Sequence, residues 1–117
     1  MPRSAAAYLV DIIEACDAIS AVLASVDLSI YRDSRSTRSS VERELIIVGE
    51  AVSALGRLAP DLFDQISHAR MVVGFRNVLT HDYAAVDDET VFAVTRDDIP
   101  VLRSECVTLL EQVERVD

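Results

Sequence analysis

Lysine is absent from these 117 residues, and glycine, proline and cysteine number only three, three and two. With half of the chain hydrophobic and its charges dispersed, so little Gly and Pro excludes a largely disordered protein. Cys16 and Cys106 lie far apart, each in an apolar helical context and with no CxxC pair, so both read as reduced core residues. The two histidines stand thirteen positions apart with no interleaved carboxylates, a pattern that suits no metal site. No Gly-x-Ser-x-Gly occurs, and Gly49, Gly56 and Gly74 are isolated, which excludes a nucleophile elbow and a phosphate-cradling loop. No cofactor is therefore expected. No apolar run approaches the roughly 20 residues that cross a bilayer. The opening MPRSAAAYLVDIIEACD has charges and helical spacing where a signal peptide carries an apolar block, so a cytoplasmic protein without a membrane partner is expected.

What is present begins with charge. The formal net charge is -9, which excludes a broad RNA-coating protein, because basic groups supply most nonspecific affinity for phosphate. The distribution is uneven. All eleven basic residues are arginines, four of them (Arg32, Arg35, Arg38, Arg43) within IYRDSRSTRSSVER, whereas ten acidic residues from Asp82 onward face three arginines. A local positive face can persist on such a molecule, which makes Arg32, Arg35 and Arg38 candidate RNA contacts; the plainer reading is a solvated helix start.

Periodicity points to helices throughout. From the N-cap candidate Ser4, residues Tyr8, Leu9, Ile12, Ile13, Cys16, Ile19, Leu23 and Val26 recur at three and four positions, giving a helix to about Ser25. VDLSIYRDSRSTRS lacks such a stripe and reads as a connector with a short helical turn after Asp27. Val41, Leu45, Val48, Val52 and Leu55 mark a second long helix, which Ile46, Ile47 and Ala51 broaden into a central one. It stops near Ala59, and Pro60 begins a short helical piece. Ser67 is the expected cap of HARMVVGFRNVLTH, whose stripe is Met71, Val72, Phe75, Val78 and Leu79. Asp87 or Asp88 caps ETVFAVTR, and Pro100 fits the first turn of a last helix facing inward through Leu102, Cys106, Leu109, Leu110 and Val113. No segment alternates with period two. The expected fold is a single all-α domain over residues 1–117, a bundle of four or five main helices.

The informative stretch is RNVLTHDY, residues 76–83. Arginine clamps phosphate, histidine moves protons near neutral pH, and asparagine orients either; an RNA strand brings its own nucleophile in the 2'-hydroxyl. The set suits phosphodiester chemistry without metal. On one ideal helix Arg76 and His81 point about 140° apart. Their convergence needs the helix to end near Thr80 or His81, or a second copy of the motif from a partner chain. The plainer alternative is a histidine favoured by a helix C-terminus beside residues that merely pack. His68 reads as a surface or packing residue.

Arg76-Asn77-x-x-x-His81-x-Tyr83 resembles the Arg-x4-His-x-Tyr signature of HEPN-domain proteins, in particular the HepT toxins of HepT/MntA toxin-antitoxin pairs. The phrase IIVGEAV, the approach GFRNVLTHDY and the continuation VDDETVFAVTRDDIPVL extend the likeness over most of the chain. The resemblance implies a homodimeric HEPN-like bundle with two motifs lining one cleft, acting as a metal-independent endoribonuclease on tRNA or mRNA. Arg76 and His81 would be catalytic and Asn77 would support their geometry. It further implies an MntA-like minimal nucleotidyltransferase antitoxin that silences the toxin by AMPylation of Tyr83. A catalytically silent HEPN dimer that binds a nucleotidyltransferase or a nucleotide is the competing expectation.

Overall fold

Ser4 opens the first helix as expected: in the computed structural model, its hydroxyl accepts the Ala7 amide and α1 runs over Ala5–Leu23. The structure describes residues 3–116, the side chains of Tyr83 and Val116 excepted. Asp27 caps α2 (Leu28–Asp33) by accepting the Ile30 amide at 2.8 Å. Ser34 then caps α3 (Arg35–Leu58), accepting from the Thr37 amide. The connector is consequently shorter than its composition suggests. Local capping by Ser34 starts a helix well before the first apolar stripe residue, Val41.

Pro60 occupies the first turn of α4 (Pro60–Phe63), where its missing N–H costs nothing. Next comes α5 (Ala69–His81), entered through His68 without a side-chain cap. Ser67 does not cap it; its hydroxyl and amide are both taken by Glu105 from across the chain. A 3-10 turn, Tyr83–Ala85, leads to α6 (Asp88–Asp97), and α7 (Ile99–Val116) carries Pro100 in its first turn. There are no strands among the described residues, so the fold is all-α.

The broad apolar face of α3 has the physical meaning read from it. This helix lies between α1 and α5, while α7 covers the other side of α1 and α2 closes against α3 and α6. Leu9, Ile12, Cys16 and Ile19 of α1 meet Val41, Val48, Val52 and Leu55 of α3 in one core, completed by Leu102, Cys106 and Leu109 of α7. Burial pushes the Cys16 and Cys106 thiols up to about 12.

Two assignments of the apolar pattern change. On α5 only Ala69, Val72 and Leu79 are buried, whereas Met71 and Val78 stand exposed. The helix therefore has a second apolar face turned outward. Conversely, Tyr31, inside the supposed connector, is fully buried and packs on Phe92 with ring centroids 5.6 Å apart. Its hydroxyl has no protein partner, and burial raises its pKa well above the ordinary tyrosine value.

Candidate active site

Gly49 decides where Arg76 can be. At this point α5 crosses α3 so closely that a Cβ on residue 49 would lie 2.2 Å from Arg76 Cβ and 2.7 Å from its Cγ. No other residue type allows that approach without displacement. The arginine stem is thus laid across the central helix, and its head emerges between two partners. One guanidinium nitrogen donates to Asn77 Oδ1 at 2.8 Å; the other meets Glu50 Oε1 at 3.3 Å. Arg76 Nε is buried without a protein partner.

His81 is the last residue of α5, and the Asp82 amide closes the helix by donating to Val78 O at 2.9 Å. Because the helix continues through His81, the roughly 140° offset from Arg76 is kept. A single chain does not bring those two side chains to one point by direct projection. Asn77 narrows the separation. It lies four residues before His81, about 40° away on the same exposed face, and it holds the Arg76 guanidinium. The Thr80 hydroxyl donates back to Arg76 O at 2.9 Å, fixing the turn between them. Tyr83 begins the 3-10 turn two residues later, and its side chain lies outside the described part.

The arginines near the start of α3 are largely engaged by acid. Arg32 pairs with Glu89 at 3.3 Å and Arg38 approaches Asp88 at 4.0 Å, both carboxylates in the first turn of α6. The Arg38 guanidinium also donates to Arg32 O. Arg35 is exposed and has no ion pair among the described residues. Among the described residues, no three His, Cys, Asp or Glu side chains gather as metal ligands, and no helix is long and apolar enough to cross a membrane.

Sequence reasoning passed over Gly49 and Glu50 as site residues, although both stand in the IIVGEAV phrase. The available signal was the glycine itself, set in the buried stripe of a helix where only a close crossing needs it.

A family model described as "Ribonuclease HepT-like" matches residues 12–109. Among curated proteins, the chain is similar to three from Methanocaldococcus jannaschii. "Putative RNase MJ1380" is 27% identical over 103 residues, covering 88% of this chain and 94% of that protein. "Putative RNase MJ1216" is 26% identical over 117 residues, covering 98% and 94%. "Putative RNase MJ0125" is 26% identical over 114 residues, covering 96% of each. No solved structure matches the chain significantly.

Proposed function

The chain belongs to the HepT-like ribonuclease family, and from that premise we propose that residues 1–117 act as one HEPN domain, a metal-independent endoribonuclease in which Arg76, Asn77 and His81 carry the chemistry. The observation that carries this reading is the Arg76–Asn77 hydrogen bond, which ties a phosphate-binding guanidinium to the motif residue that lies one helical turn before His81. In the reaction, the 2'-oxygen of RNA attacks the adjacent phosphorus and the bond to the 5'-oxygen breaks. His81 takes the 2'-hydroxyl proton or returns a proton to the leaving oxygen, water completing the other transfer, and Arg76 stabilises charge growing on the phosphate. The products are a 2',3'-cyclic phosphate and a 5'-hydroxyl.

The helical offset favours a homodimer, in which the Arg76 of one copy and the His81 of another face one cleft. Exposed Met71 and Val78 on the outer side of α5 offer an apolar contact for that second copy. In this reading the RNA, a tRNA or an mRNA, reaches the cleft with help from Arg32, Arg35 and Arg38, and Arg35 is the one of these without an ion pair among the described residues. Tyr83 serves as a switch. A minimal nucleotidyltransferase antitoxin of the MntA kind transfers AMP from ATP to its hydroxyl, which loses its proton as pyrophosphate leaves, and the added bulk and negative charge repel substrate phosphate.

The Arg76–Glu50 pair supports a second reading, since it neutralises the guanidinium that catalysis needs. In that case the chain is a silent HEPN dimer that docks a nucleotidyltransferase or a nucleotide. Incubating wild type and His81→Ala with tRNA and mRNA in EDTA separates the two. Cyclic phosphate ends made by wild type alone are expected. If unmodified, folded wild type leaves the RNA intact, the silent module replaces the ribonuclease.

A further inference from the structure

Two clefts meet at Arg57, near the end of α3. The first, ≈ 440 Å³, opens between the start of α1 and α3 and is lined by Arg3, Tyr8, Asp11, Glu50, Arg57 and Arg76. The second, ≈ 560 Å³, lies between α3, α4 and α5, where Arg57, Phe63, Arg70 and Asn77 contribute. Each is within the size range of small-ligand sites. Ser53 and Arg57 belong to both, and the Arg57 guanidinium donates to Ser53 Oγ at 3.0 Å, with no carboxylate partner among the described residues. The charge of the shared wall is therefore available to an outside anion.

The clefts repeat one chemical device. In the first, the Arg3 guanidinium lies over the Tyr8 ring, 5.1 Å from its centroid; in the second, Arg70 lies over Phe63 at 5.7 Å. A planar guanidinium on an aromatic ring forms a flat platform of the kind on which nucleobases stack, and an ion pair with Asp11 holds the Arg3 one in place. Arg76 lines the first cleft and its hydrogen-bonded neighbour Asn77 lines the second, so both reach one of the residues proposed to act in cleavage.

We propose that these clefts hold two successive nucleotides of a single RNA strand beside the scissile phosphate. One base stacks at Arg3–Tyr8 and the other at Arg70–Phe63, with the phosphate between them on Arg57. This rests on the ribonuclease reading and adds the strand's path to it. Single-stranded rather than duplex RNA is the substrate class, because stacking on side chains requires unpaired bases. Arg57, Tyr8 and Arg70 are substrate-binding residues that set affinity and register.

The test measures fluorescence anisotropy of a labelled single-stranded oligoribonucleotide, blocked with 2'-O-methyl groups, in EDTA across a range of salt. KM and kcat for the unblocked strand are measured beside it. Arg57→Ala and Tyr8→Ala should each weaken binding by about tenfold, Arg57→Ala should lower the salt slope by about one, and Tyr8→Phe should restore binding. In cleavage these losses should fall on KM, with kcat moving far less. Circular dichroism and thermal unfolding establish that each variant is folded, and Arg57→Lys provides a second, milder probe of the same charge. Cleavage by wild type with KM unchanged in Arg57→Ala and Tyr8→Ala would overturn this proposal and leave the ribonuclease reading intact. Arg57-dependent binding without cleavage by wild type would keep the strand path and overturn the cleavage reading. Equal competition by free AMP would overturn the strand in favour of a mononucleotide site.

Discussion

Replacing Gly49 by alanine should separate stability from catalysis in a way the crossing of α3 and α5 makes quantitative. The new methyl would lie 2.2 Å from Arg76 Cβ, where ordinary contact begins near 3.4 Å. The stem of Arg76, or all of α5, must therefore retreat by about 1.2 Å, the difference between those distances. Overpacking of this kind costs about 1–3 kcal/mol, while Gly-to-Ala in a helix returns about 1 kcal/mol of backbone propensity. The net loss of about 0–2 kcal/mol corresponds to a fall in Tm of at most roughly 10 °C for a domain of this size. Catalysis should suffer far more. A shift of about 1 Å in a positioned group can cost on the order of 100-fold, and here the displaced group is the guanidinium that Asn77 and Glu50 hold. Thermal unfolding and kcat/KM on the same preparation measure both. Gly49→Ala protein that cleaves RNA within about twofold of wild type would refute the placement of Arg76 as a catalytic group.

Three further outcomes follow from burial. Tyr31→Phe removes a buried hydroxyl that has no protein partner, so it should be neutral or stabilising by about 1 kcal/mol in denaturant unfolding; a loss of stability would reveal a hydrogen bond at that oxygen. Burial and the neighbouring Asp88 raise the pKa of Glu42, so its ionisation opposes folding as pH rises from the ordinary glutamate value through the raised one. Glu42→Gln should accordingly raise Tm at pH 7, with the gain disappearing below about pH 4.3, and an equal gain at both pH values would contradict the assignment. Cys16 and Cys106, their thiols held near 12, should resist iodoacetamide in native protein at neutral pH and react after unfolding, as mass spectrometry would show.

The helices were legible because their apolar residues recur at helical spacing and their ends carry recognisable signals. Ser4, Asp27, Pro60 and Pro100 all act where their chemistry places them. Ser67 shows the limit. Its type suits a cap, but Glu105, 38 residues away, takes both its amide and its hydroxyl. Met71 and Val78 show another limit, since periodicity finds an apolar residue without revealing whether the surface it meets belongs to the same chain. Tyr31 was hidden for the opposite reason, lying in a short polar segment whose burial depends on Phe92. At the site, the motif RNVLTHDY supplied the residue types, and the angular offset between Arg76 and His81 followed from helix geometry alone. The partners of Arg76 did not, because Glu50 and Gly49 meet it only through the crossing of two helices.

The ion pairs Arg32–Glu89 and Arg38–Asp88, with Tyr31 against Phe92, moor the start of α6 to the region around α2. The end of α5 is moored separately by the burial of Leu79. The segment containing Tyr83 is thus a short leash between two fixed posts. Two residues of chain reach no farther than about 7 Å, so the backbone of Tyr83 stays within that radius of His81 whatever the rest of the segment does. Anything covalently attached at Tyr83 is consequently confined to the neighbourhood of the histidine. Its power to obstruct would come from tether length rather than binding strength, and dilution would not relieve it.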